Sequence, residues 1–162
     1  MPLISLEELA GTLPAVAPLI GLDLGSRTIG IAVSDRLRKV ASARTVLRRT
    51  RFQPDAGALL ELATKEGAGG IVIGLPLNMD GSEGPRAQAT RAFARNLEKL
   101  TPIPLIFWDE RLSTVAVERM LIDSDTSRAR RAELVDKLAA AWILQGVLDR
   151  LADLTAQASP DR

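Results

Sequence analysis

Between positions 19 and 47 the chain offers three runs of aliphatic and β-branched residues with period two, 19–24, 28–34 and 40–47. The first two are parted only by the turn Gly25-Ser26-Arg27. A connection this short makes a hairpin, because parallel strands need a crossover of a dozen or more residues. The chain therefore begins its core as an antiparallel three-strand meander. Beyond it, strand and helix alternate. Asp55 can cap a helix with the apolar stripe Leu59, Leu62 and Ala63, and Gly67 supplies its stop. Residues 71–74 form a short buried strand, followed by a Pro, Asn and Gly loop over 75–84. Pro85 suits the first position of a helix running to about Leu100, with Ala89, Phe93, Leu97 and Leu100 on one face. A strand over 103–108, a helix over 113–122, an Arg-rich stretch over 123–131 with the composition of a mobile loop, and a last helix over 132–154 complete the pattern.

The order βββ-α-β-α-β-α-α predicts an α/β fold: a mixed sheet in which parallel strands extend the meander on one side, flanked by helices. Residues 19–154 form the one domain expected. Residues 1–18 read as a flexible acidic, Ala- and Pro-containing lead with one helical turn near 6–9, and 155–162 as a tail.

What the composition lacks narrows the chemistry. With no Cys and no His among 162 residues, disulfides, thiol catalysis, Cys/His zinc sites and His-based triads are excluded. Carboxylates, Lys, Ser and Thr remain. Two Trp, three Phe and no Tyr are too few for a base-stacking platform. The net charge of +1 conceals an uneven distribution, since Arg36, Arg38, Lys39, Arg44, Arg48, Arg49 and Arg51 crowd between Asp35 and position 51. This strip suits a phosphate backbone, and it equally suits a solvated strand face. No apolar run reaches the ~20 residues of a membrane span. Glu7 and Glu8 at the start, without a basic region, are unlike a signal peptide, so a cytoplasmic location is expected.

Three acids stand in positions that matter. Asp23 shares a strand face with Leu19 and Gly21, and a carboxylate in so apolar a strand needs a partner, either a metal ion or the donors of the next turn. That turn, Gly25 to Thr28, offers amides and a hydroxyl to a phosphate or simply closes a hairpin, and Gly30 on the next strand leaves space opposite. Asp109 and Glu110 follow a strand at its carboxyl end, where open α/β sheets place ligands. Alternation allows only one of them to face a given site, and Arg111 can neutralise either. Asp136 heads a stripe of Ala139 or Ala140, Ile143 and Val147, which points it at the sheet, while a plain helix-end carboxylate is the alternative. Carboxylates without histidine suit Mg²⁺ or Mn²⁺, and two such ions can clamp the oxygens of a phosphodiester.

The segments GLDLGSRTIG (21–30), GLPLNMDG (74–81), DERLST (109–114) and VDKLAA (135–140) together resemble the YqgF family. These bacterial proteins are also called RuvX or Holliday junction resolvase-like and are regarded as pre-16S rRNA nucleases. The resemblance runs from about Leu19 to Leu151. It implies a ribonuclease H-like fold and a metal-dependent nuclease that processes the 5′ end of pre-16S rRNA. By it Asp23, Glu110 and Asp136 hold Mg²⁺ or Mn²⁺ as the catalytic acids, and the loop from Asn78 to Gly81 borders the site. Ser26, Arg27, Asn78, Arg111, Arg44, Arg48 and Arg49 are the substrate-binding candidates. Partners implied are structured RNA, branched DNA and the ribosome, with the chain a monomer or homodimer and no membrane involved. One departure is that Arg128, Arg130 and Arg131 are separated from Asp136 by Ala132-Glu133-Leu134-Val135, where many members carry a Lys-Gly-Lys type stretch. Asp-Leu-Gly-Ser also resembles the first phosphate loop of actin-like and sugar-kinase ATPases, which need a second domain that 162 residues do not supply. A non-catalytic rRNA- or ribosome-binding module and a DNA Holliday junction resolvase are the alternative functions.

Overall fold

The computed structural model describes residues 3–112 and 128–158, and of 128–134, 136, 137 and 158 the helix path only. The meander is present as β1 (Leu19–Leu24), β2 (Thr28–Ser34) and β3 (Ala41–Arg48), with both pairings antiparallel. β4 (Gly70–Leu75) and β5 (Leu105–Asp109) add to the other side of β1 in parallel, giving the order β3-β2-β1-β4-β5. β5 starts two residues later than expected, since Pro102 and Pro104 lack amide donors and the Ile103 N–H turns to Thr101 Oγ1 at 3.1 Å. The amide of Ile71 then takes the Pro104 carbonyl at 2.8 Å.

Helices cover both faces. α2 (Phe52–Glu66) and α3 (Pro85–Glu98) pack on the face made by Ile20, Leu22, Leu24, Ile29, Ile31, Ile71 and Ile73. α1 (Leu6–Thr12) and a long α4 (Arg128–Ala158) pack on the opposite face, against Leu19, Ala32, Val72 and Ile106. The two faces differ in kind. Beside the Ile/Leu face, the α4 face carries Gly21, Gly30, Ala32 and Gly74, and α4 answers with the fully buried Ala139 and Ala140. A Cβ added at Gly21 would lie 2.8 Å from Leu144 Cβ and 3.1 Å from the Ala140 carbonyl oxygen, so helix backbone and β1 are in direct contact there.

Several expectations are corrected. α2 begins at Phe52, so Asp55 lies inside its first turn rather than capping it from outside; there it accepts hydrogen bonds from the Thr50 amide and Thr50 Oγ1. Gly67, at φ +69°, does end the helix. In α3 the buried face is Ala87, Thr90, Phe93, Ala94 and Leu97, while Ala89 is exposed and Leu100, beyond the helix end, is 46% exposed. The phase is set by Phe93, whose ring meets Phe52 edge-on at 5.3 Å. Arg128 to Arg131 belong to α4 instead of a loop, because Arg, Ala, Glu and Leu run on without Gly or Pro. The rest of that expected loop, and the helix expected over 113–122, lie outside the described residues. The lead from residue 3 is packed rather than loose. Ser5 and Glu8 form a reciprocal capping box, Leu9 is fully buried, and the Ile4 amide bonds the Leu105 carbonyl at 2.9 Å on the edge of β5. Of the tail, Thr155 to Ala158 continue α4.

Candidate active site

The carboxyl ends of β1, β4 and β5 lie side by side, and each brings a residue that the others need. Asp23 is the fifth residue of β1 and only 7% exposed. Strand alternation turns it, with Leu19 and Gly21, toward the α4 face. On β2 its partner is Gly30, and on β4 it lies beside Gly74, one step past the Leu22–Ile73 pair. The positions beside Asp23 on both neighbouring strands are therefore glycines. Burying a carboxylate in so apolar a sheet is costly unless charge or donors meet it.

Glu110 fills one of these gaps. It opens the 3₁₀ turn Glu110–Leu112 after β5, and its Oε1 lies 3.0 Å, and its Cγ 3.3 Å, from where a Cβ on Gly74 would stand. The carboxylate thus reaches back over β4 on the same face as Asp23. Gly74 makes this possible and is a positioning residue that sequence reasoning missed; the signal was a glycine between Ile73 and Leu75 in a buried strand.

Asp109 pairs with Leu75 and points away from this face, as alternation demands. Arg111 takes it up: Nη2 donates to Oδ2 at 2.7 Å, Nε to both oxygens at 3.1 Å, and the Arg111 amide to Oδ1 at 2.9 Å. These bonds hold the Asp109 carboxyl below the usual carboxylate range. Arg111 Nη1 also donates to the Met79 carbonyl at 3.2 Å, so the same side chain ties β5 to the loop after β4. That loop is closed by its own bonds. The Asn78 amide donates to the Ser82 carbonyl, Asn78 Nδ2 to Ser82 Oγ, and Gly81, at φ +88°, returns its amide to Asn78. Asp80 accepts from the Ser82 hydroxyl and amide, which lowers its own pKa.

Asp136 lies on α4 three and four residues before the buried Ala139 and Ala140. Its side chain lies outside what the structure describes.

The basic strip does not form one surface. β3 carries its ends to opposite ends of the sheet, leaving Arg36, Arg38 and Lys39 at the β2–β3 turn, where Arg38 Nη1 donates to the Ala17 carbonyl. Arg44, midway, pairs with Glu66. Arg48 and Arg49 reach the end where Asp23 lies, and there they line a groove of about 1060 Å³ with Leu24 to Thr28, Val46, the first turns of α3 and Val135 of α4, while Arg51 is the N-cap residue of α2. Ser26 and Arg27 are exposed on its lip. Arg49 is held from below: Nη1 donates to the Gly25 carbonyl at 2.6 Å, its amide to the Arg27 carbonyl at 2.8 Å, and its guanidinium lies 5.7 Å from the Phe93 ring centre. It braces the turn that follows Asp23. Arg86, from α3, joins the same groove and had no signal in a sequence read element by element.

A mixed five-strand sheet with helices on both faces, and acids at the carboxyl ends of β1 and β5, defines a ribonuclease H-like fold. Among solved structures, Thermus thermophilus RuvC in complex with Holliday junction substrate superposes with a TM-score of 0.53 over 84% of this chain and 96% of that one, at 14% identity. The family model described as "RuvX: Holliday junction resolvase" matches residues 17–150, and the chain belongs to that family. Similar relatives include a protein of Paracoccus denitrificans (strain Pd 1222), 63% identical over 147 residues, covering 91% of this chain and 93% of that one. Another, from Rhizobium meliloti (strain 1021), is 58% identical over all of this chain and 98% of its own length. Both bear the name "Putative pre-16S rRNA nuclease".

Proposed function

We propose that the chain is a nuclease that hydrolyses phosphodiester bonds of structured RNA, with the 5′ end of precursor 16S rRNA as its substrate and the cytoplasm as its place of work. Family membership and the names of the relatives support the reaction and substrate. The observation that carries the reading is the carboxylate of Glu110 laid over Gly74 beside the buried Asp23, in a space that two glycines keep clear.

The donor set fits a hard divalent cation, since carboxylate oxygens alone are gathered and no thiolate or imidazole exists in the chain. Asp23, Glu110 and, from α4, Asp136 are the residues to hold Mg²⁺ or Mn²⁺ there, as two ions. Bound in this place, they supply positive charge to the anionic transition state of phosphodiester hydrolysis. The protein's own residues do the rest. Asp23 stands near the end of β1 and Glu110 in the turn directly after β5, which sets their separation before substrate arrives. Arg111 keeps Asp109 occupied and fixes the 78–82 loop at the border of the site, with Asn78 at the loop's base. Ser26, Arg27 and Arg48 offer donors to phosphates next to the cut.

The deciding assay uses purified protein with an end-labelled pre-16S leader RNA and with a four-way DNA junction, each with Mn²⁺ or with excess EDTA. Cutting of the RNA that needs Mn²⁺ and is lost in Asp23→Asn is expected. Cleavage that persists in EDTA overturns the reading. Binding of RNA without cleavage favours a non-catalytic rRNA-binding module, and preference for the junction favours a DNA resolvase.

A further inference from the structure

We propose that the groove at the sheet rim binds the sugar-phosphate backbone of one nucleic-acid strand, with Arg86 of α3 joining Arg27 and Arg48 as its phosphate contacts. Four arginines, Arg27, Arg48, Arg49 and Arg86, line it, and among the described residues no acid does. Arg27, Arg48 and Arg86 are exposed, and among the described residues none of them is in an ion pair, unlike Arg44, Arg91 and Arg111. Three cations left facing one cavity repel one another, and an anion that runs past all three removes that repulsion. Arg49 serves differently. Its bond to the Gly25 carbonyl and its place over Phe93 make it the brace of the groove rather than a phosphate contact.

One groove brings the three cations together, so a single sugar-phosphate backbone can run past all of them. The grip is on the backbone rather than on stacked bases. Phe93 is the one aromatic residue in the lining, only 5% exposed and covered by Arg49, so no ring is offered for stacking.

Position gives the groove its purpose. Leu24 and Gly25 follow Asp23 directly, and Val135 directly precedes Asp136. A strand lying in the groove therefore enters or leaves beside the acids, within a few nucleotides of the bond to be cut, a placement that rests on the reading of those acids as the cleavage centre.

The test is fluorescence anisotropy in EDTA, where nothing is cleaved, with a labelled single-stranded RNA of mixed sequence and with the same sequence as a blunt duplex. Parent, Arg86→Gln, Arg48→Gln and the double variant are titrated over a salt series. Each single change is expected to weaken single-strand binding about threefold to tenfold and to lower the log-log salt slope by about 0.7, the double variant by about twice that. Both side chains are exposed, so folding is not at stake. Parental affinity and slope in both single variants overturn the proposal, as does a duplex that binds as tightly and suffers the same losses. Cleavage by Asp23→Asn with Mn²⁺ reads the acids separately, so failure of the groove and failure of the cleavage centre give different results.

Discussion

Gly74 shows how much a missing side chain can decide. A methyl group there would stand 2.6 Å from Ile143 Cδ1 and 3.0 Å from Glu110 Oε1, and something must yield. Gly74→Ala is expected to cut cleavage at least tenfold and to cost about 1 to 3 kcal/mol of stability from overpacking. Adding Ile143→Ala relieves the apolar clash alone. Stability should then recover in part while activity stays low, and restored kcat/KM would show that Glu110 had not been displaced. Asp109 makes a second prediction at this scale. Its folded pKa is lowered by Arg111, so its bonds add stability above the unfolded value of about 3.9 and lose it as pH falls through the lower folded value. Urea unfolding of parent and Asp109→Asn from pH 6 to pH 2.5 checks this. The parent should lead by a constant margin down to about pH 5, with the margin closing in stronger acid.

At the scale of elements, the contact between β1 and α4 governs the site, because α4 carries Asp136 and Val135 to the end of the sheet where Asp23 lies. Gly21 is where the two backbones touch. Its substitution by Ala puts a methyl 2.8 Å from Leu144 Cβ and 3.1 Å from a helix carbonyl, neither of which is the flexible end of a side chain. Gly21→Ala should cost about 1 to 3 kcal/mol. It should also change the emission of Trp108 and Trp142, both packed in the α4 layer, and unaltered emission with parental stability would show that α4 moves freely on β1. The same packing explains why the strand faces look so unlike in sequence, large residues toward α2 and α3 and small ones toward α4.

For the whole molecule, the proposed site for Asp23, Glu110 and Asp136 would gather three anions where water is scarce, which would disfavour the metal-free state. Mn²⁺ at a hundred times its dissociation constant should stabilise the parent by about 2.7 kcal/mol, by mass action. Thermal melts should show Asp136→Asn raising the melting temperature without metal and abolishing the gain from Mn²⁺. A carboxylate that merely decorates a helix start behaves oppositely. Its loss costs about 0.3 to 1 kcal/mol, and metal stabilises variant and parent alike.

The periodicity of residues 19–47, the short Gly25-Ser26-Arg27 turn and the alternation after it were enough to determine a mixed α/β sheet, since hairpin length and strand period are local properties. The candidacy of Asp23 was legible for the same reason: a charge among Leu19, Ile20, Leu22 and Leu24 is anomalous within a few residues. That only one of Asp109 and Glu110 faces a given site followed from strand alternation. Which one did not, because it depends on Arg111 folding back on Asp109 and on the gap at Gly74, three strands after Asp23 in chain order. Nor could the basic strip be divided from sequence. Residues adjacent in the chain separate by the length of β3, while Arg86, far along the chain, arrives beside Arg48 only because α3 packs against the sheet through Phe93. Local pattern determined the elements, and packing across β1 and β4 decided which side chains meet, since those contacts join residues that no spacing rule connects.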